Sequence, residues 1–566
     1  MGTVSNAMSF IRALERRGIT DVFANSGTDH APIVEALSAM QSAGERMPRF
    51  HVVPHENLAV AMAQGYYRAC GRPACVLVHV TVGTANTVCA LMNAYRANVP
   101  LLLVAGRNPL SQDGHIGSRS VQIHWGQDAF DQNALVRENT KWEHEMRAYQ
   151  DVDALVDRAL VIAMSEPRGP VYLTLPRELL ADEDKKTHAE PTGRIAAAEP
   201  DAAAIDELAE MLAGARRPAI VTSTIGVDPA ARLLLEQVAE RYAIPVVQSW
   251  PYAVIVRSGH PMNLRMQGSE WLAEADVIIA VDSAVPWVPR RFRPRADATV
   301  VHMGADPAYS MYPYRDFPSS RLVAGSSTRG LSMLADALAE RSVDERRIAD
   351  RRKVVAALVD DACKRRADRI EKGSKQSPIS AAWTAECINR VSGDGAVIVN
   401  ELGVPFDCLE FSGDEVFIGE TTAGGLGSGV GIGLGAKLAA PERDVICCVG
   451  DGSFMFGNPT PAFLVADALK LPVTVIVCNN GMWYAVEQTT LDIYPDGAAG
   501  GQGGHTLPLT QFGASPDYAA IAAACGAHGE TVSDPGKLEG ALRRALARNA
   551  AGQAALLNVV TEPGTR

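Results

Sequence analysis

Long hydrophobic runs are missing from this sequence: no apolar stretch reaches the roughly 18 residues of a membrane-spanning helix. The N-terminus, MGTVSNAMSFIRALERRG, has no basic start followed by an apolar core, so no leader peptide is read there and the expectation is a cytoplasmic protein without a membrane partner. Basic excess is missing too. The 53 Lys and Arg against 65 Asp and Glu leave a net charge of −12, which argues against nucleic acid or an anionic surface as the main partner. The ten cysteines include no pair at the two-residue spacing of a zinc or redox site, and most stand inside apolar runs, which implies reduced, buried thiols.

At 566 residues the chain is too long for one core, and its 47% hydrophobic and 21% charged content is ordinary for a globular protein. Two helix-breaking or charge-dense segments divide it, Ala181–Pro200 (ADEDKKTHAEPTGRIAAAEP) and, from about Ala339 to Pro378, a charged stretch that still carries helical periodicity and predicts a surface helix. Near-continuous apolar strands alternate with helix-length segments in each block: DVFAN, ACVLVHV and PLLLVAG first, then PAIVTS, VIIAVD and VVHMG, then AVIVNE, VICCVGDG and TVIVCNN. Strands buried on both faces belong to parallel sheets covered by helices. The predicted fold is α/β, three doubly wound parallel-sheet domains at residues 1–182, 198–342 and 376–566. The middle block has no GxGxxG; SAVPW follows VIIAVD without a glycine pair, so no dinucleotide motif is present.

The most informative stretch runs from Val445 to Val486. Gly450-Asp451-Gly452 closes its first apolar run and Asn479-Asn480 its second, which puts a glycine turn and hard oxygen ligands at the carboxyl ends of two neighbouring strands. Such a turn lets backbone approach a phosphate, so the stretch is suited to a metal-bound diphosphate. The 26 residues between the two motifs match the thiamine diphosphate fingerprint. Here the chain resembles the thiamine diphosphate-dependent 2-oxo acid decarboxylase and carboligase superfamily, in its benzoylformate decarboxylase and acetolactate synthase branches.

The resemblance implies that the three domains are pyrimidine-binding, Rossmann-like and diphosphate-binding, in that order. It makes Asp451 and Asn480 side-chain ligands of Mg2+ and the carbonyl of Met482 the third, with Asn479 structural and Gly450, Gly452 and Ser453 against the diphosphate. In HVVPHENLAVAMAQGY, Glu56 stands where family members place a glutamate on a pyrimidine nitrogen; a carboxyl held in an apolar pocket keeps its proton for such sharing. Read alone, Glu56 is also a favourable first-turn helix residue. In Gly424-Gly425-Leu426-Gly427, Leu426 matches the wedge beneath the cofactor and the Gly424 carbonyl the acceptor for its amino group, while the same small-residue run suits tight helix packing.

His79, ahead of Gly83-Thr84-Ala85-Asn86, resembles the proton-transferring histidine of benzoylformate decarboxylase, and Thr28 falls where that enzyme has a substrate-binding serine. Thr28 also reads as a helix N-cap ahead of Pro32, and His30 is an extra candidate. Two departures stand out: no histidine occurs in VPWVPRRFRPR, where the family has a second one and Arg290 and Arg291 stand here, and diphosphate-holding hydroxyls are replaced by Gly403 and Val404. The Gly-rich segment Glu487–Ser515 is expected to be a lid loop, with Val486 and Gln488 lining the pocket at its root.

The expected activity is therefore that of a lyase on a 2-oxo acid, through ylid and enamine intermediates, releasing an aldehyde or adding to an acceptor. One alternative is an acetolactate synthase-like carboligase with FAD in the middle domain, which the region of Gln127, Asp128 and Lys141 resembles; another is a non-catalytic cofactor-binding relative. The resemblance also implies a homo-oligomer, a dimer at minimum and a tetramer by family habit, with Glu56 of one subunit meeting the diphosphate held by Asp451 of another.

Overall fold

The computed structural model describes residues 4–184, 192–500 and 505–563, so part of the first separator, 185–191, lies outside the described residues. The chain forms two compact units, one of residues 1–195, 421–531 and 544–558, the other of 196–420, 532–543 and 559–566.

The first sheet holds β1 (Asp21–Asn25), β2 (Arg49–Val52), β3 (Cys75–Val78), β4 (Leu102–Arg107), β5 (Trp142–Glu145) and β6 (Val171–Pro176) in the order β2-β1-β3-β4-β6-β5. Every pair in it is parallel. Phe10, Leu14, Val156 and Leu160, from helices Asn6–Arg16 and Val152–Met164, pack with Val22, Leu77 and Leu102 into one core. The strand order reverses between β1 and β3. The loops after these two strands, Ser26–His30 and His79, therefore flank the crevice in which such sheets take ligands.

The second sheet is β7 (Pro218–Thr222), β8 (Val246–Gln248), β9 (Val277–Val281), β10 (Thr299–Gly304) and β11 (Arg321–Ala324), parallel throughout, in the order β11-β10-β9-β7-β8. The third is β12 (Val397–Glu401), β13 (Val416–Ile418), β14 (Val445–Gly450), β15 (Thr474–Asn479), β16 (His528–Val532) and β17 (Ala555–Val560), in the order β13-β12-β14-β15-β17-β16. Three doubly wound parallel sheets are thus present, as the strand patterns predict. Among the described residues no helix is long and apolar enough to cross a membrane.

The structure differs from the sequence reading in three places. The sequence pattern predicts a helix over Ala85–Ala97 after β3, whereas the helix spans Val80–Arg96, because His79 itself is its extended N-cap. The charged second separator is a 30-residue helix, Glu345–Ser374, that is more than surface: Arg351 is buried and donates to the carbonyls of Ala215, Tyr242 and Ala243, capping two helix ends. The segment predicted as one long loop begins with a helix, Tyr484–Ile493. Its residues 501–504 lie outside the described residues.

Candidate active site

Asp451 sits at the C-terminal end of β14, 2% exposed. Its Oδ1 accepts from the Gly452 amide at 2.8 Å and its Oδ2 from the Gly481 amide at 2.7 Å, which ties the turns after β14 and β15 together. Gly481 adopts φ +70°, which favours glycine, and a side chain at Gly452 would run into the Trp483 ring at 2.3 Å. Burial pushes the Asp451 carboxyl up to about 6, against the opposing donation of the Gly481 and Gly452 amides. A cation placed there would supply the charge that burial withholds. Asn480 Oδ1 accepts from the Met482 amide at 3.1 Å, so carboxylate, amide oxygen and the Met482 carbonyl belong to one short loop pair.

Among the described residues no cluster of three His, Cys, Asp or Glu side chains could hold a metal by itself. One carboxylate beside an amide and a carbonyl is the incomplete, all-oxygen set that suits a Mg2+ sharing phosphate ligands. Ser453 is buried in the turn of helix that follows Asp451. Asn479 is turned away: its Nδ2 donates to Asn558 at 3.0 Å and its Oδ1 accepts from Ser515 at 3.3 Å, a structural role.

Leu426 lies half-buried in a loop whose glycines Gly424 and Gly427 take φ +64° and +85°. Asn93, which the sequence reading missed, holds that loop. Its Nδ2 donates to the Gly425 carbonyl at 2.6 Å and to Ser428 Oγ at 3.0 Å, and its Oδ1 accepts from the Gly425 amide and Thr421 Oγ1, each at 3.0 Å. Cys89, one turn earlier, donates to the Leu426 carbonyl at 3.8 Å. The only sequence signal was two polar-compatible positions four apart on a helix, which periodicity does not distinguish from a solvated face. Beyond the loop, helix Gly429–Ala439 packs so closely on helix Glu56–Cys70 that a methyl at Gly435 would stand 1.9 Å from the Met62 carbonyl. The tight-packing reading of the glycine run finds its residues here.

Glu56 opens helix Glu56–Cys70, as a first-turn acid, and is half-buried. Its Oε2 accepts from Asn86 Nδ2 at 2.5 Å, which links it to the helix that starts after His79. His79 is half-buried, and its Nδ1 donates to the buried carboxylate of Asp29. Thr28 is exposed at the start of the 3-10 turn Thr28–His30, beside the same crevice; it is not the cap of the next helix, because His30 occupies that position. His30 is buried, accepts the Gly27 amide at 3.0 Å, and therefore serves the turn itself.

In the acetolactate synthase-like region Gln127 faces His79, while Asp128 and Lys141 are engaged in structural contacts. Lys141 Nζ donates to the carbonyls of Ile162 (2.7 Å) and Ser165 (2.6 Å) and to Ser165 Oγ, and burial lowers its pKa to about 8. Asp128 pairs with Arg107 and Arg119. Arg290 and Arg291 are exposed, as a solvated cluster would be. At the root of the expected lid, Val486 and Gln488 are exposed while Glu487 is buried and accepts from His505; the chain after it is stitched to the loop after β15 by Trp483 N–H to Thr510 O (2.7 Å) and Phe512 N–H to Gly481 O (3.0 Å). The cysteines are all free thiols, six of them buried, with Cys363 exposed against expectation.

Three family models match the chain in order: the thiamine pyrophosphate enzyme N-terminal TPP binding domain at residues 5–135, the central domain at 205–315 and the C-terminal TPP binding domain at 406–559. The chain belongs to the thiamine pyrophosphate enzymes, a thiamine diphosphate-dependent class of decarboxylases and carboligases. It is 28% identical to benzoylformate decarboxylase of Pseudomonas aeruginosa over 99% of both chains. It is 26% identical to the acetolactate synthase isozyme 3 large subunit of Escherichia coli over 96% of this chain and 93% of that one. In fold it matches the thiamine diphosphate-dependent 4-hydroxybenzoylformate decarboxylase of Rhodococcus jostii, with a TM-score of 0.75 and 23% identity over 99% of this chain and 100% of that one.

Proposed function

We propose that this protein is a thiamine diphosphate- and Mg2+-dependent enzyme that decarboxylates a 2-oxo acid and releases an aldehyde. The observation that carries the reading is His79: an imidazole at the mouth of the β1/β3 crevice, held by a buried carboxylate, is equipped for proton transfer to a product carbon. Asp451, Asn480 and the Met482 carbonyl would hold the metal, Gly450, Gly452 and Ser453 would face the diphosphate, and Leu426 and Gly424 would meet the rings. When bound, thiamine diphosphate supplies a carbon nucleophile and an electron sink. Glu56 would meet the pyrimidine, Asn86 orienting its carboxyl group; Thr28 offers a hydroxyl to the substrate; His79 moves a proton. The assembly is a homo-oligomer, a dimer at minimum and a tetramer in full, in which Glu56 and Asp451 of different subunits complete each site. Exposed apolar side chains such as Ile116, Phe130 and Leu509 support a buried interface.

A panel of 2-oxo acids, beginning with benzoylformate, tests this by carbon dioxide release and product identification. Glu56→Gln is expected to lower turnover by roughly 10²–10⁴-fold while thiamine diphosphate still binds; undiminished turnover would remove Glu56 from the site. Carboligated products together with flavin absorbance in the purified protein would instead identify an acetolactate synthase-like enzyme, and cofactor binding without carbon dioxide from any acid would identify a non-catalytic relative.

A further inference from the structure

Asp29, the buried carboxylate that holds His79, is enclosed from several sides. It is 2% exposed, and its Oδ1 accepts from His79 Nδ1 while its Oδ2 accepts the Val80 amide at 3.4 Å and stands 3.2 Å from His30 Nε2. Two glycines make room for the couple. A methyl at Gly106, on β4, would come within 1.7 Å of Asp29 Oδ2, and one at Gly27 within 2.0 Å of His79 Nδ1. The backbone is strained at the same place: Val80, a β-branched residue, takes φ +23° directly after His79. Side-chain pairing, two clearances and a strained turn converge on one ring.

The geometry points to Asp29 as the positioning residue of His79, fixing its ring and committing Nδ1 as donor, so that His79 stands as an imidazolium that delivers its Nε2 proton to the substrate carbon. A carboxylate only accepts, so the proton on Nδ1 is assigned by the partner and Nε2 is left for exchange. In the transfer the Nε2–H bond breaks as a C–H bond forms, using the electron pair left on that carbon when carbon dioxide departs; the neutral imidazole regains its proton from solvent. The inference rests on the proposed decarboxylation for its purpose, though not for the Asp29–His79 couple itself.

The charges around the ring agree. His79 is faced by Asp29 and His30 from the 3-10 turn, by Glu56 from the helix Glu56–Cys70, and by Gln127 and His124 from residues 123–127, with Arg177 and Arg119 behind His124. The Asp29 hydrogen bond first, then its charge, Gln127 and Glu56, raise the proton affinity of His79 over the cost of burial. Burial pushes the Asp29 carboxyl up, but its bond to His79 and the charges of His30 and His79 bring it below the usual carboxylate range. Burial, with the charge of His79 and against that of Asp29, holds His30 below its ordinary value. A His raised in the folded state adds stability that is complete below its unfolded pKa and is lost as pH rises through the folded one. Activity that needs the imidazolium falls over the same high-pH range.

The test is Asp29→Asn, which keeps the shape between Gly27 and Gly106 and removes the charge. Cofactor-free protein labelled at histidine Cε1 is titrated by NMR between about pH 5 and pH 9, the His79 signal being assigned by its loss in His79→Gln. The expected result is a wild-type His79 midpoint above the ordinary value of about 6.5, and one about a pH unit lower in Asp29→Asn. The high-pH limb of kcat/KM should move down with it, while thiamine diphosphate affinity stays within about twofold. An unchanged His79 midpoint in the variant overturns the inference, as does a wild-type midpoint at or below the ordinary value, which needs no variant to fold. A midpoint that falls while the limb stays fixed overturns the proton delivery. Because the titration is made without cofactor or substrate, it stands even if no 2-oxo acid is turned over, which separates failure of this inference from failure of the proposed activity.

Discussion

At Asn93 a single amide makes four hydrogen bonds to the loop that carries Leu426, bracketing Gly425 on both its amide and its carbonyl. Nothing in that loop has regular secondary structure, so its backbone groups depend on such a side-chain partner. Asn93→Ala leaves two backbone groups and two hydroxyls without it in a buried setting. We expect a loss of roughly 2–4 kcal/mol in unfolding free energy, and a fall of about tenfold or more in thiamine diphosphate affinity by calorimetric titration. Cofactor affinity equal to wild type would mean that Leu426 is held in place without the clamp. The same reasoning explains why Lys141 is no cofactor residue: its three donors are already used at the end of helix Val152–Met164.

Among the elements, the glycine-rich helix Gly429–Ala439 decides how closely the first-block helix Glu56–Cys70 approaches. A methyl at Gly65 would meet the Ile432 carbonyl at 1.8 Å, one at Gly431 the Ala61 side chain at 2.7 Å, and one at Gly435 the Met62 carbonyl at 1.9 Å. Backbone carbonyls cannot swing aside as side chains do, so Gly435→Ala must push the helices apart. The gain from helix propensity, about 1 kcal/mol, is smaller than the strain. We expect a net destabilisation of about 1–3 kcal/mol in chemical unfolding, with turnover falling as well, because Glu56 begins one of the two helices. A variant as stable and active as wild type would show that the contact is not rigid. Glycine at every second position thus serves packing here, while the positive φ of Gly424 and Gly427 shapes the loop that carries Leu426.

On the scale of the whole molecule, cofactor and fold are linked. Ligands that bind only the folded state add about 3 kcal/mol of stability at a hundred times Kd. Thiamine diphosphate with Mg2+ should therefore raise the thermal midpoint in proportion to the logarithm of cofactor concentration, and a chelator should reverse the gain. Asp451→Asn is expected to abolish the Mg2+-dependent part of that rise. A midpoint indifferent to metal would contradict the role given to Asp451. Sedimentation of the same samples tests the proposed assembly, for which a dimer or larger species is expected.

The strands were legible because parallel sheets bury both faces and so write near-continuous apolar runs into the chain; β1, β4, β14 and β15 stand where those runs stand. The motif ends were legible because only certain residues make such turns, as Gly481 at φ +70° and Gly452 under Trp483 illustrate. Sequence alone thus determined the fold class and the family, and singled out Asp451, Asn480, Glu56 and His79 as candidates. It could not determine what touches them. Asp29 reaches His79 across 50 residues, Asn93 reaches Gly425 across 332, and the helix start at Val80 depends on a strained turn that no propensity favours. Those contacts are made by packing between segments distant in the chain, where partners are chosen by space and charge rather than by neighbouring residues. The tertiary structure alone decided them, and with them the placing of Asp29 against His79.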